Sequence, residues 1–177
     1  SEIHAVMVSD IHLGLVVDND RFDAMVSRIN ELDPDVVILA GDIIDEDVRL
    51  FANNKMPEIL KKLRSKYGVY AVLGNHEYIS GNSELVIEYL QQAGINVLVD
   101  ECMKINNQFY IIGRDDRMAG SMFGKARLEL SSLIGEIDNN LPIILLDHQP
   151  INLDEGQRNG IDLQLSGHTH NGQFFPN

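Results

Sequence analysis

Apolar residues run along the chain in short, dense stretches divided by polar punctuation, and the stretches follow two different periods. Residues 3–9, 35–40, 69–73, 142–146 and 161–165 are crowded with Val, Ile and Leu and scarcely alternate. That pattern predicts strands buried on both faces, as in a sheet covered by helices. Residues 20–32 instead place Phe22, Met25, Val26 and Ile29 at helical spacing, which predicts a helix with one apolar face. Residues 58–66, with Ile59, Leu60 and Leu63 as the stripe, and residues 125–137 predict two further helices. Ser83 reads as the N-cap of a helix reaching Ala93, with Gly94 as its C-terminal cap. Residues 95–99, 103–105 and 109–113 then follow as strands with no helix between them. Asn106 and Asn107 predict a tight hairpin between the last two.

The pattern is that of a β-rich α/β chain, partly alternating and partly hairpin-like. Polar motifs recur just after the strands, at Asp10, Asp42, Asn75, His148 and His168. Ligands of open α/β sheets gather at the carboxyl ends of strands, so five strands are expected to deliver polar groups to one rim.

Composition narrows the function classes. The 177 residues are 44% hydrophobic, enough for one domain with a substantial core, and residues 1–177 are read as that one domain. Pro, Gly and Ser are scattered and mark no linker, and no unit of roughly 20–50 residues repeats. The 27 acidic against 14 basic residues give a net charge of −13 without a Lys/Arg run, so no nucleic-acid partner is expected. Most of the acidic excess is read as a solubilising surface, and a few carboxylates as holders of cations. Cys102 is the single cysteine, read as a small core or strand residue. Nothing therefore points to disulfides or an oxidising compartment. No apolar run reaches the roughly 18 residues of a membrane span. The expected setting is a cytoplasmic or membrane-associated soluble domain. The chain opens at Ser1 without Met, so any anchor is expected in a segment outside it.

Five of the six histidines stand beside strand ends in polar clusters: Asp10-Ile11-His12, Gly74-Asn75-His76-Glu77, Asp147-His148 and Gly167-His168-Thr169-His170, with Gly41-Asp42-Ile43-Ile44-Asp45 among them. His4, at the start of a strand, has no assigned role. In an extended segment residues i and i+2 point the same way, so Asp10 and His12, and likewise His168 and His170, are each expected to present a pair of ligands. The glycines before these residues are expected to let the backbone turn sharply and approach the site closely. Carboxylates, an amide and imidazoles suit Mn, Fe, Zn or Ni better than Ca or Mg. The absence of thiolates argues against a closed structural zinc site.

The order Asp-x-His, Gly-Asp-x-x-Asp, Gly-Asn-His-Glu, His, Gly-His-Thr-His resembles that of the calcineurin-like metallophosphoesterases, from Asp10 to His170. Ser9-Asp10-Ile11-His12-Leu13-Gly14 and Ser166-Gly167-His168-Thr169-His170 look most like a bacterial, often membrane-linked branch. The resemblance implies an α/β fold of two facing mixed β-sheets flanked by helices. It implies a first metal held by Asp10, His12, Asp42 and His170, a second by Asp42, Asn75, His148 and His168, and Asp42 as the bridge, with Mn favoured. His76 would be the proton donor to the leaving group or a stabiliser of phosphoryl charge, and Asp45 would orient His76 or a metal ligand. Glu77 and Thr169 belong to the motif without assigned chemistry.

The implied function is hydrolysis of phosphomonoester, phosphodiester or pyrophosphate bonds by a metal-bound hydroxide. The implied partner is a small phosphorylated substrate, nucleotide or lipid-linked. A non-catalytic metal-binding module on the same fold, or a nuclease, is the alternative. The branch commonly continues past the last His motif, so this chain is expected to lack closing strands, and it carries Asn171-Gly172-Gln173 where Gly-Gly-Gln is the expectation. Residues 115–124 read as a loop, either a substrate wall or an ordinary mobile segment, and residues 152–160 as a polar rim loop.

Overall fold

The computed structural model describes residues 2–14, 17–45, 47–135, 137–138 and 140–170. Eight strands form two four-stranded sheets. The first is wholly parallel in the order β1 (Ala5–Val8), β2 (Val36–Ala40), β3 (Val69–Val72), β4 (Ile95–Val97). The second runs β5 (Glu101–Ile105), β6 (Phe109–Gly113), β7 (Ile143–Leu146), β8 (Leu163–Leu165), with β5 antiparallel to β6 and the other pairs parallel. The hairpin turns at Asn106 and Asn107, both left-handed with φ of 47° and 54°, and Gln108 N closes it on Ile105 O at 2.9 Å. Asn tolerates this conformation better than most residues.

The dense apolar runs are explained by burial on two sides. On β2, Val36, Ile38 and Ala40 face the second sheet, meeting Ile105, Phe109, Ile111 and Leu146. The alternate residues Val37 and Leu39 face helices, with Phe22, Val26 and Ile29 of α1 (Asn19–Glu31) in the same cluster. Tyr110, Ile112, Ile143 and Leu145 on the far face of the second sheet pack with Leu130 of a short helix. Two facing sheets flanked by helices is the expected architecture.

The helices depart from expectation where they are short. Helices α2 (Val48–Asn53), α4 (Asn75–Ile79), α6 (Arg117–Phe123) and α8 (Leu153–Arg158) stand where no helix is expected. Residues 115–124 are therefore not a loop: Asp116 caps α6 by accepting from Met118 N at 2.8 Å, and Gly124 ends it with φ of 67°. The helix expected over 58–66 is α3 (Met56–Leu60). The one expected over 125–137 contracts to α7 (Leu130–Ile134). Upstream of α7 the chain is pinned open: Arg127 pairs with Asp147 at 2.6 Å, Lys125 with Asp115 at 3.6 Å, and Leu128 N with Asp100 at 2.7 Å. These tertiary partners override a modest helical preference. In helix α5 (Ser83–Gln92) the N-cap is Asn82 rather than Ser83, which is the first helical residue, and Gly94 with φ of 82° follows the C-cap Ala93. Cys102 is a strand residue but exposed. Asn171, Gly172 and Gln173 lie outside the described residues.

Candidate metal centre

β1 and β2 run side by side, and the loops beyond them remain paired. Asp10 N donates to Gly41 O at 3.0 Å, His12 N to Asp42 O at 3.0 Å and Leu13 N to Ile43 O at 2.9 Å. Asp10, His12 and Asp42 have φ of 53°, 51° and 50°, and His168 and His170 have 70° and 48°. Strand alternation therefore does not aim these pairs, since β1 ends at Val8 and β8 at Leu165. Left-handed turns held by the neighbouring loops aim them instead, at an expense of about 1–3 kcal/mol for each such residue. Two glycines make the approach possible. A Cβ on Gly41, whose φ is 87°, would lie 2.5 Å from His148 Nδ1, and one on Gly74 would lie 2.6 Å from Asp42 N.

Two groups of side chains meet on Asp42. Atoms of Asp10, His12, Asp42 and His170 lie within 4.8 Å of one another, and so do atoms of Asp42, His148 and His168. Asn75 joins the second group through its Oδ1, 2.9 Å from His168 Nδ1. A third group, His12, Asp45 and His76, adjoins the first. There Asp45 Oδ1 stands 3.7 Å from His76 Nδ1 and 4.0 Å from His12 Nδ1. His76 shares no group with Asp42, although its backbone N–H donates to Asp42 Oδ1 at 2.9 Å. His4 does not enter these groups.

The donor set fits cations. His148 Nδ1 is 2.7 Å from the Ala40 carbonyl, which can only accept, so Nδ1 carries a proton and Nε2 of the neutral ring presents a lone pair. That Nε2 lies 3.1 Å from Asp42 Oδ2 without the direction of a hydrogen bond. A lone pair facing a carboxylate needs a positive charge between them. Burial opposes charge on His148, yet Asp42 outweighs it and pushes the imidazole up to about 9. Burial likewise opposes the Asp42 anion, but His148 and the His76 N–H hold its carboxyl below the usual range. Burial pushes the His12 imidazole down, so it stays neutral, and its buried Nε2 has no hydrogen-bond partner among the described residues. His12 is neutral already, and a cation that displaces the His148 proton would find there the neutral imidazoles around a shared carboxylate that a divalent ion requires.

Sequence reasoning left one organising residue without a role. Glu77 is 0% exposed in α4 and takes four backbone N–H groups. Oε1 accepts from Ile43 N at 2.6 Å and Ile44 N at 2.9 Å; Oε2 accepts from Gly74 N at 2.7 Å and Asp42 N at 3.1 Å. It therefore ties the Asp42 loop to the start of the helix that carries Asn75 and His76. Burial, and then the Asp42 carboxylate, push it up to about 7 against the pull of these amides. All four donors suit the anion, and a cation at Asp42 removes the neighbouring charge that opposes it. The sequence signal was its place at the third helical position behind Gly74, from which an acid reaches back to the capping N–H.

A model of the calcineurin-like phosphoesterase family matches residues 3–172. The chain is 35% identical over 176 residues to an uncharacterized metallophosphoesterase of Aquifex aeolicus (strain VF5), covering 99% of this chain and 66% of that protein. It is 34% identical over 183 residues to a transmembrane protein with metallophosphoesterase domain of Danio rerio, covering 98% of this chain and 41% of that one. It is 31% identical over 176 residues to an uncharacterized metallophosphoesterase of Helicobacter pylori (strain ATCC 700392 / 26695), covering 99% and 46%. The chain thus spans 66%, 41% and 46% of the lengths of these relatives. A solved structure matches with a TM-score of 0.59 over 93% of this chain and 83% of its own, at 12% identity, a likeness of fold. Among the described residues no helix is long and apolar enough to cross a membrane.

Proposed function

The chain belongs to the calcineurin-like phosphoesterase family, and from that premise we propose that it hydrolyses esters or anhydrides of phosphoric acid with two divalent cations. Asp10, His12, Asp42 and His170 would hold one cation, and Asp42, Asn75, His148 and His168 the other, with Mn favoured. The observation that carries this reading is the position of Asp42, common to both groups and 1% exposed. A short carboxylate shared in this way suits cations about 3.5–4 Å apart, the separation used for in-line phosphoryl displacement. Bound there, the cations would act as Lewis acids toward the phosphoryl oxygens and make a water acidic enough to react at neutral pH.

The chain's own residues supply the remainder. His76 sits at the first turn of α4 with its backbone fixed to Asp42 and its ring edge-on to His12, centroids 4.6 Å apart. The ring is half-exposed, so it can meet a substrate. Asp45 Oδ1, 3.7 Å from His76 Nδ1, is placed to hold the ring's direction. So held, His76 would donate a proton to the departing oxygen or neutralise charge on the phosphoryl group. The substrate would be a small phosphorylated molecule, nucleotide or lipid-linked.

The test is hydrolysis of bis-p-nitrophenyl phosphate and p-nitrophenyl phosphate with added Mn2+, beside Asp42→Asn. Metal-dependent release by the wild type alone is expected. A folded, two-metal protein that releases nothing from either ester or from a diphosphate ester would overturn the reading.

A further inference from the structure

Four of the chain's eight arginines, on a molecule of net charge −13, line one cleft of about 390 Å³. Arg114 extends from the end of β6, Arg117 begins α6, Arg127 lies in the segment before α7, and Arg158 ends α8. We propose that this cleft is a binding site for a phosphate-class oxyanion, separate from the cluster on Asp42.

The guanidinium groups are set rather than scattered. Arg114 is 4% exposed. Its Nη2 donates to Leu128 O at 2.8 Å, its Nη1 reaches Glu155 at 3.4 Å, and its Nε lies 3.6 Å from Asp100. Arg127 is braced from behind by Asp147 at 2.6 Å. Arg158 pairs with the exposed Asp154. Arg117 differs from the other three: among the described residues no carboxylate lies within 4.0 Å of it, and its Nε is buried without a hydrogen-bond partner. Nε of Arg114 and of Arg127 lack hydrogen-bond partners as well. Buried polar groups are normally paired, and a guanidinium fork matches a tetrahedral oxyanion.

Glu129 and Glu155 also line the cleft. Asp100 and Glu155 match Arg114, Asp147 matches Arg127 and Asp154 matches Arg158, which leaves Arg117 as the one cleft guanidinium without a carboxylate partner among the described residues. The cleft stands on the rim where β6 and β7 end. Arg127 braces the residue before His148, and Arg117 follows Asp116, whose carboxylate accepts from Gln149 at 3.0 Å. One wall of the cleft is therefore continuous in the backbone with the candidate metal centre. The anion is either a second phosphoryl group of a substrate or free inorganic phosphate.

The test uses the full chain with Mn2+ present and locates the anion directly. Arginines are modified with phenylglyoxal with and without inorganic phosphate, and the modified positions are mapped by mass spectrometry. Phosphate is expected to slow modification of Arg117 and Arg158 several-fold while leaving Arg21 and Arg49, exposed and outside the cleft lining, unaffected. Arg117→Gln is expected to weaken that protection of Arg158 about 10- to 100-fold in phosphate concentration, the worth of a hydrogen bond to a charged group. Arg158→Gln, altered at an exposed position, is expected to weaken protection of Arg117. A rise in KM of Arg117→Gln confined to diphosphate esters identifies a substrate subsite; protection without such a rise identifies free phosphate. Equal modification of Arg117 with and without phosphate, or equal protection of Arg21, overturns the proposal. Because protection does not depend on turnover, this outcome is independent of whether the chain hydrolyses esters.

Discussion

Glu77→Gln replaces one carboxylate oxygen by an amide NH2 with almost no change in shape. Each Glu77 oxygen accepts two backbone N–H groups, so either orientation of the amide turns its NH2 against two donors. A buried donor left without an acceptor costs about 1–3 kcal/mol, which for two gives about 2–6 kcal/mol. The neutral side chain recovers part of this, because burial and Asp42 both oppose the Glu77 anion. With cations beside Asp42 that relief is small, and the expected net loss is about 2–4 kcal/mol, a large share of the roughly 5–15 kcal/mol of a typical domain. For a chain of this length it is a fall of about 4–16 °C in Tm. The assay is thermal and urea unfolding of the metal-loaded protein, with metal content and turnover measured on the same samples. Metal content and turnover are expected to fall together, since the lost bonds hold the amides of Asp42 and Gly74. A loss below about 0.5 kcal/mol with full metal content would refute the organising role of Glu77.

Four further outcomes are expected. Asp42→Asn removes metal from one or both sites, by elemental analysis, and nearly all hydrolysis. His76→Ala keeps both metals but lowers kcat about 10²- to 10⁴-fold, the usual contribution of a general acid; loss of metal would place His76 among the ligands. Gly74→Ala forces a Cβ against Asp42 and is expected to cost stability and metal affinity together, checked by unfolding and metal titration. Metal loading near pH 7 is expected to release a proton from His148, whose metal-free pKa is raised from 6.5 to about 9, so apparent affinity rises with pH up to about 9. Without metal the same raised pKa contributes stability that is complete below 6.5 and is lost as pH rises through about 9. Calorimetric titrations in buffers of differing protonation enthalpy check the release; no buffer dependence would contradict it.

The two sheets were legible because double-sided burial leaves the same mark on the sequence wherever it occurs. Val36 to Ala40 is fully apolar since Ile38 faces one layer and Val37 and Leu39 another. The convergence of Asp10, His12, Asp42, His148, His168 and His170 was legible from residue type and from position after strands. The manner of aiming was not, because strand alternation stops at Val8 while φ of 53° and 51° at Asp10 and His12 is dictated by backbone pairing with Gly41 and Asp42. Short helices were missed for a reason of scale. α4 has 5 residues and α6 has 7, too few for an apolar period to repeat, and only caps such as Asp116 and Gly124 betray them.

Glu77 and the arginine cleft share a deeper obstacle. A ligand advertises itself by its own side chain, whereas Glu77 is defined by what it bonds, and its four partners are backbone N–H groups that any residue but proline would offer. Arg114, Arg117, Arg127 and Arg158 are spread over 45 positions of the chain and form no basic run. They meet because β6, α6, the segment before α7 and α8 end at one corner, and that corner is built by α6 and α8, two of the helices too short to show a period. The unread cleft therefore follows from the two missed helices α6 and α8, and an N-cap placed at Asp116 would have exposed the first of them.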